Sequence, residues 1–482
     1  MSARAANVEL MAMTHSSPAS VGIDPAAISA FADAADAKGL GVHGLVVARY
    51  GRVAAESWWH PYQPDEPHMM YSVSKTFTSL AVGIAVGEGL LRLDEPTHEV
   101  FPEYPEIAGQ TLRHLLTMTS GHAVDAFDAF RMLPGLDWVR LFFEAKAPYE
   151  PGTHFVYNTA ATYVLGAAVI RRSGQSLTEY LDDRLFGPMG WPTPAWEKDA
   201  RGIEHGGTGL KLTTRQLAEL GQLLLQRGQW QGRQLVPAEW VDQASARQVR
   251  NPWFETNESR LGYGFQLWRS THGFRADGMF GQFAVVIPEL DLVVAATSGS
   301  PDAHVILETI WSELLPGVDA SFTPAGDADG KLFELGERRV PEPEGAATDA
   351  ATEAALTGKV FRLPSNPSGI ERLSVAFDDE TATVEFAGEG IGRRRIVAGR
   401  HEWVPGRFLT PVEALPEAPC AARIGFTGGA AELYLQLTGT PYRWTWRLAP
   451  DGPEGPQLTS WLYPDLGLPS RADMILTVSQ SV

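Results

Sequence analysis

Cysteine is almost missing from this chain of 482 residues: the one thiol, Cys420, has no partner for an internal disulfide, so no part of the fold is stapled covalently. Basic runs are missing too. With a formal net charge of −19 and no local cluster of Lys and Arg, the chain repels nucleic acid and anionic membrane surfaces, and a nucleic-acid partner is set aside. No window approaches the roughly 20 consecutive apolar residues that a membrane-spanning helix needs. The most apolar segment, residues 80–91, is broken by glycines and by Glu88. Residues 1–7 lead into no apolar stretch of the kind a secretory leader carries, and the expectation is a soluble, cytoplasmic protein without a membrane partner. His-Glu-x-x-His, Cys-x-x-Cys and glycine-rich phosphate loops are lacking, and His114, His122 and His205 do not have metal-ligand spacing. No metal, cofactor or nucleotide is implied.

What is present is enough chain, with a hydrophobic share of 44%, for two full-sized cores. Residues 44–54 read as a hairpin turning at Gly51. Helical periodicity appears after Ser72 and again over 112–118, 160–172, 177–185 and 213–227, each bounded by Gly or Pro. Strand patterns return at 264–268, 282–287 and 292–296, the last two joined by Pro288-Glu289-Leu290-Asp291. Between about 316 and 350 the composition shifts to Pro, Gly, Ala, Asp and Glu, which suits a connection better than a core. Beyond it, 372–377, 381–386, 432–437 and 442–447 alternate at period two between turn residues. The organisation expected is an N-terminal extension (1–20), a mixed domain (21–316), a linker (317–350) and a β-rich C-terminal domain (351–482).

One constellation carries chemistry. Tyr71-Ser72-Val73-Ser74-Lys75 places Ser-x-x-Lys where an apolar helical pattern at Phe77, Leu80, Ala81 and Ile84 begins. Positions i and i+3 share a helix face, so the Lys75 amine reaches the Ser72 hydroxyl. A lysine serving as base must be neutral, and burial together with the positive end of a helix disfavours its ammonium form. Taken alone, Ser72 reads more readily as an ordinary helix N-cap.

The segment Pro67-His68-Met69-Met70-Tyr71-Ser72-Val73-Ser74-Lys75 resembles the active-site word of the serine β-lactamase and penicillin-binding-protein-like hydrolases, in their class C-related, esterase-like branch. Further words follow in that superfamily's order: Thr111-Leu112-Arg113-His114-Leu115-Leu116-Thr117-Met118-Thr119-Ser120-Gly121, Pro151-Gly152-Thr153-His154-Phe155-Val156-Tyr157-Asn158-Thr159, and Gly206-Gly207-Thr208-Gly209. The resemblance implies an α+β fold with an antiparallel sheet flanked by helices, here followed by an all-β domain. It implies a nucleophile at Ser72, a base at Lys75, a proton shuttle at Tyr157, and an oxyanion hole from the amides of Ser72 and Met279.

The sequence departs from that pattern twice. Where many relatives carry Tyr-x-Asn, this chain has Tyr157-Asn158-Thr159, so Asn158 and Thr159 are expected either to meet substrate or, for Asn158, to cap a helix. The third family word, Lys-Thr-Gly or His-x-Gly, is matched by Ala276-Asp277-Gly278 without its cation. These three residues are expected to border the substrate, although Asp-Gly is also a turn dipeptide. Arg275 is an alternative cation, but strand alternation points it away from the side Ala276 faces. Trp58, Trp59, His60 and His272 line a pocket or form surface aromatics and a loop histidine. The expected function is hydrolysis of small neutral esters through an acyl-enzyme, with an amidase or D-aminopeptidase-type peptidase, a β-lactamase, or a non-catalytic binding module as the alternatives.

Overall fold

The computed structural model describes residues 13–133, 135–254, 258–366, 368–388, 391–408, 417–452, 455–464, 474–477 and 479–481. Two sheets organise it. The first is built on Val42–Arg49 (β1), Arg52–His60 (β2), Trp268–Arg269 (β3), Phe274–Gly278 (β4), Gln282–Ile287 (β5) and Leu292–Ser298 (β6), in the spatial order β2-β1-β6-β5-β4-β3, every neighbour antiparallel. Hairpins account for β1–β2 and for the run from β3 to β6, while the β1–β6 pairing joins these two distant stretches of chain; β1, β5 and β6 are buried along their whole length because both faces of the sheet are covered.

One face is covered by Pro25–Ala37 (α1) and His304–Thr309, the other by Val73–Gly87 (α2), Thr159–Ser173 (α3) and Thr214–Leu225 (α4). Alternation sorts the two cores. Val285 and Val294 join Ile28, Phe31 and Ile306 on the first face, while Val286 and Val293 join Phe77, Leu217 and Leu220 on the second. Helix α3 starts on the Asn158 cap and stops at Gly174 in the left-handed conformation, and α4 starts on a Thr213–Gln216 capping box.

The expected strand at 264–268 is different. Only Trp268–Arg269 is strand. Gln266 takes φ +62°, its backbone amide donates to Leu116 O (3.3 Å) and its carbonyl accepts from Thr76 Oγ1 (3.1 Å), so the groups a ladder would use are taken, and its side chain adds bonds to Leu115 O (3.3 Å) and Leu116 O (2.8 Å). Residues 317–340 run along β2, with the Phe333 amide donating to Ala54 and Arg338 paired with Asp33 and Asp36.

The second sheet comprises Val360–Arg362 (β7), Arg372–Phe377 (β8), Thr381–Gly388 (β9), Gly392–Gly399 (β10), Val404–Phe408 (β11), Ala418–Thr427 (β12), Ala430–Gln436 (β13), Arg443–Gly452 (β14), Gly455–Tyr463 (β15), Met474–Thr477 (β16) and Ser479–Ser481 (β17). Its order is β16-β15-β14-β13-β12-β10-β9-β8-β7-β17, with β11 on β12. Since β16 and β17 are neighbours in sequence yet pair with opposite ends, the sheet curls back on itself and leaves little free edge. Its interior is filled by Phe361, Phe386, Trp444, Trp446 and their neighbours. The fold is therefore a β-lactamase-like α+β unit followed by an all-β one.

The two units meet over a buried imidazole pair. His43 Nδ1 lies 3.2 Å from His68 Nε2, Tyr62 stacks on His43 at 3.8 Å, and the Tyr62 hydroxyl donates to the Thr440 carbonyl while accepting from Gln436 Nε2. Burial holds both histidines below their usual range, with the facing ring adding to the effect at His43, and brings His68 down to about 4. The unfolded chain binds protons at these sites below pH 6.5 and the folded chain does not, so stability is full above that pH and is lost as pH falls from 6.5 towards 4. For His68 alone this amounts to on the order of 3 kcal/mol. Thermal melting is accordingly expected at clearly lower temperature at pH 5 than at pH 7.5, with a flatter pH dependence in His68→Gln; equal slopes in the two proteins would contradict this.

Candidate active site

The chain enters α2 through a tight bend. Tyr71 sits at φ +45°, a left-handed conformation that a residue with a Cβ adopts only when its surroundings enforce it. The enforcement is visible on both sides, where the Met70 amide donates to Leu210 O (2.8 Å) and the Met69 amide to Gly439 O (2.9 Å). Ser72 follows at the N-cap position, but its side chain makes no cap bond. Instead its Oγ accepts from Lys75 Nζ at 2.9 Å.

Lys75 is 1% exposed, on the α2 face that lies against the glycine-rich segment. Three hydrogen bonds tie helix and segment together: Lys75 Nζ to Gly207 O (2.8 Å), Thr78 Oγ1 to Gly206 O (2.8 Å) and Leu210 N to Ser74 Oγ (3.1 Å). Gly207 must be glycine, because a Cβ there would stand 2.6 Å from Thr159 Cγ2. Burial lowers the Lys75 pKa to about 8, against the opposing pull of Asp125, Asp128 and Asp277. A substantial neutral fraction is thus available near neutral pH.

Tyr157 is bonded to the Ser72 hydroxyl, and its ring centroid lies 4.8 Å from Lys75 Nζ. The ring stacks on Trp268 (5.4 Å, 26°), which packs with Phe155, Tyr263 and Met118 in a small separate cluster. Met118 does more than fill space. Held at φ +57°, it accepts from the Val156 amide through its carbonyl (2.8 Å) and from the Asn158 amide through its sulfur (3.2 Å), so the word around Thr117-Met118-Thr119 sets the backbone on either side of Tyr157. Burial drives the Tyr157 pKa upward, outweighing the hydrogen bond to Ser72. The phenol therefore keeps its proton at neutral pH.

The structure brings Ser72, Lys75 and Tyr157 together and places the remaining expected residues as follows. Asn158 is 1% exposed, and its Oδ1 accepts from Ala161 N at 3.2 Å. Of the two roles expected for it, the structure shows the cap of α3. Thr159, the first residue of α3, lies against Gly207, with its amide bonded to Asp125 Oδ2 at 2.8 Å. Ala276 is 0% exposed, its side chain packed in the core on the α2 side, so only its backbone is left to border a substrate. Asp277 lies in strand β4 rather than in a turn, and its carboxylate pairs with Arg275 Nε at 2.8 Å, with His304 at 3.7 Å. Burial pushes this carboxyl up, but Arg275 and His304 together hold it below the usual range. Arg275 is buried on the face opposite Ala276, between Asp277 and Glu258, donating also to Ser270 Oγ (2.9 Å). That arginine is occupied and does not replace the missing cation. Gly278 serves backbone proximity, since a Cβ there would stand 2.3 Å from Met70 O. Met279 opens the β4–β5 turn and is 55% exposed. Among the described residues neither its amide nor that of Ser72 donates to a backbone carbonyl.

Of the aromatics, Trp59 is buried and donates to Asp36 Oδ1, Arg215 lies over Trp58, and His272 meets Trp311 edge-to-face. None is shown beside Ser72. Asp125, Trp268 and the Gly207 carbonyl were not singled out as contacts from sequence. Only Gly207 left a signal there, as part of a glycine cluster.

Comparison with known proteins settles the family. The Beta-lactamase family model matches residues 27–308. The chain belongs to the Beta-lactamase family. This Beta-lactamase-family chain is 24% identical to the 6-aminohexanoate-dimer hydrolase of Paenarthrobacter ureafaciens over 59% of its own length and 78% of that protein. It is 30% identical to esterase EstB of Burkholderia gladioli over 36% of its length and 53% of EstB, and 31% identical to the β-lactamase of Escherichia coli K12 over 24% of its length. The chain thus spans about a third of that β-lactamase and about half of EstB. A solved structure from Bacillus anthracis, described as a candidate 6-aminohexanoate-dimer hydrolase, superposes with a TM-score of 0.51 at 23% identity over 58% of this chain and 80% of that one, a likeness of fold.

Because Asn158 works as a cap, Asn158→Ala is expected to cost about 1 kcal/mol of stability while leaving KM nearly unchanged. Denaturant unfolding and steady-state kinetics on the variant check this; a large rise in KM at unchanged stability would return Asn158 to the substrate.

Proposed function

We propose that this protein is a serine hydrolase that cleaves small neutral carboxylic esters through an acyl-enzyme on Ser72. The observation that carries the reading is the 2.9 Å contact between Lys75 Nζ and Ser72 Oγ, made by an amine whose pKa burial brings to about 8. Neutral Lys75 takes the Ser72 proton as the oxygen attacks the carbonyl carbon, forming the C–O bond and moving the carbonyl π pair onto oxygen. The amides of Ser72 and Met279 stabilise that oxyanion. Tyr157, kept neutral, passes a proton from Lys75 to the departing alkoxide, the acyl–oxygen bond breaks, and water releases the acid by the same steps in reverse order.

Charge selects the substrate. Asp125, Asp128 and Asp277 all bear on Lys75, Arg275 is consumed by Asp277 and Glu258, and no cation stands at the third family word. A substrate carboxylate, such as that of a β-lactam, is repelled there. The same carboxylates suit an ammonium, which favours an amide-cleaving, aminopeptidase-like reaction as the second reading.

Intact-mass analysis after a fluorophosphonate probe is expected to show one adduct in the wild type and none in Ser72→Ala. With p-nitrophenyl acetate, kcat/KM should rise with pH through about 8 as Lys75 loses its proton, and Lys75→Ala should lower it by about a thousand-fold or more. Paired ester and amide substrates with one acyl group separate the two readings. Labelling that ignores Ser72, or nitrocefin turnover at enzymic rates, would overturn the proposal.

A further inference from the structure

The C-terminal unit reaches the active site through one turn. Residues 437–442 join β13 to β14 and dock on the stretch that leads to the nucleophile. The Gly439 carbonyl accepts the Met69 amide (2.9 Å), the Thr438 hydroxyl donates to Glu66 Oε1 (2.6 Å), and the Thr440 carbonyl accepts the Tyr62 hydroxyl (3.0 Å). The turn is itself braced, with the Thr440 hydroxyl donating to Leu437 O (2.9 Å) and accepting from the Tyr442 amide (3.1 Å).

From this rigid base the Tyr442 ring meets Phe280 edge-to-face at 5.7 Å, and Phe280 in turn meets Tyr71 edge-to-face at 5.7 Å. Phe280 and Tyr71 are the immediate chain neighbours of Met279 and Ser72. Both are held with positive φ, at +65° and +45°, and both pack against the core of the C-terminal unit rather than that of their own. A non-glycine residue in this region is strained and relaxes unless packing holds it. The Phe280 carbonyl is anchored from the other side by the Ser298 hydroxyl and the Ser300 amide. The Phe280–Tyr71 contact therefore bridges the chain neighbours of the two amides assigned above to the oxyanion hole, and Tyr442 closes on Phe280 from the outer end.

We propose that Tyr442 is a positioning residue: its ring, presented by the β13–β14 turn, clamps Phe280 and through it Tyr71, and so fixes the separation of the Ser72 and Met279 amides. This deepens the hydrolase reading above and rests on it. It assigns the C-terminal unit a part in the rate of the reaction without any contact to substrate.

The test uses the full chain as wild type, Tyr442→Phe, Tyr442→Leu and Tyr442→Ala, with fluorophosphonate titration of reactive Ser72 followed by p-nitrophenyl acetate kinetics per titrated site. Misplaced donors cost transition-state stabilisation, so the Leu and Ala variants are expected to lose about ten-fold or more in kcat with KM and the midpoint of the pH profile unchanged. Tyr442→Phe, which keeps the ring, should stay within about two-fold of wild type. Titration removes misfolded molecules from the count, and Tyr442→Leu decides the matter if Tyr442→Ala does not fold. Wild-type kcat per site in the Leu variant, a change in KM alone, a shifted pH midpoint, or a Phe variant as slow as Ala would each overturn the assignment. A wild type that takes no label would overturn the hydrolase reading and this assignment with it, an outcome distinct from all of these.

Discussion

Much of the arrangement turns on keeping one amine out of water. Lys75 lies on the buried face of α2, with its nitrogen between the Ser72 hydroxyl and the Gly207 carbonyl. Burying a charged lysine is costly, and here the cost is met by shifting the equilibrium toward the neutral form rather than by a direct ion pair. Other features follow from that choice. The glycine-rich segment has to approach α2 closely enough to offer a carbonyl, so Gly207 carries no side chain, and Thr78 and Ser74 bond to the same segment one turn away or less. The nearby carboxylates stay at a distance where they temper the shift without cancelling it.

Around that centre, the layers divide the work. The first sheet brings the β4–β5 turn up to the bend before Ser72, the helical layer supplies Lys75 and Tyr157, and the small cluster of Phe155, Tyr263 and Trp268 seats the phenol. Stability and chemistry draw on the same residues in places. Asn158 ends as a cap because the first turn of α3 needs its amides satisfied, and Asp125 bonds two more of them at Thr159 and Ala160.

How much was legible in the sequence depended on whether the signal was local. The Ser72–Lys75 spacing, the hairpin at Gly51 and the β5–β6 pair announce themselves within a few residues, and the structure shows them. Helix α3 was legible to within a residue at either end because Asn158 and Gly174 punctuate it. Residues 264–267 misled because their apolar pattern suits a strand while the Gln266 side chain, bonding to carbonyls about 150 positions away, makes a turn of them. The third family word was legible in its place but not in its partners: Ala276-Asp277-Gly278 sits on strand β4 as expected, while Arg275 and His304 hold its acid and Ala276 faces the core. Nor could any local word announce that the Tyr62, His43 and His68 cluster is completed by Gln436 and Thr440, nearly 400 residues on.

The contact between Gly278 and Met70 is backbone against backbone, with no room for a Cβ. Substitutions act through side chains, so this junction offers them no graded handle: any replacement at Gly278 collides with a carbonyl, and none adjusts the spacing by small steps. Side-chain exchange acts by degrees only where there is room for it, as at the solvent-exposed Val124 and Trp253, and leaves a backbone-to-backbone junction of this kind untouched.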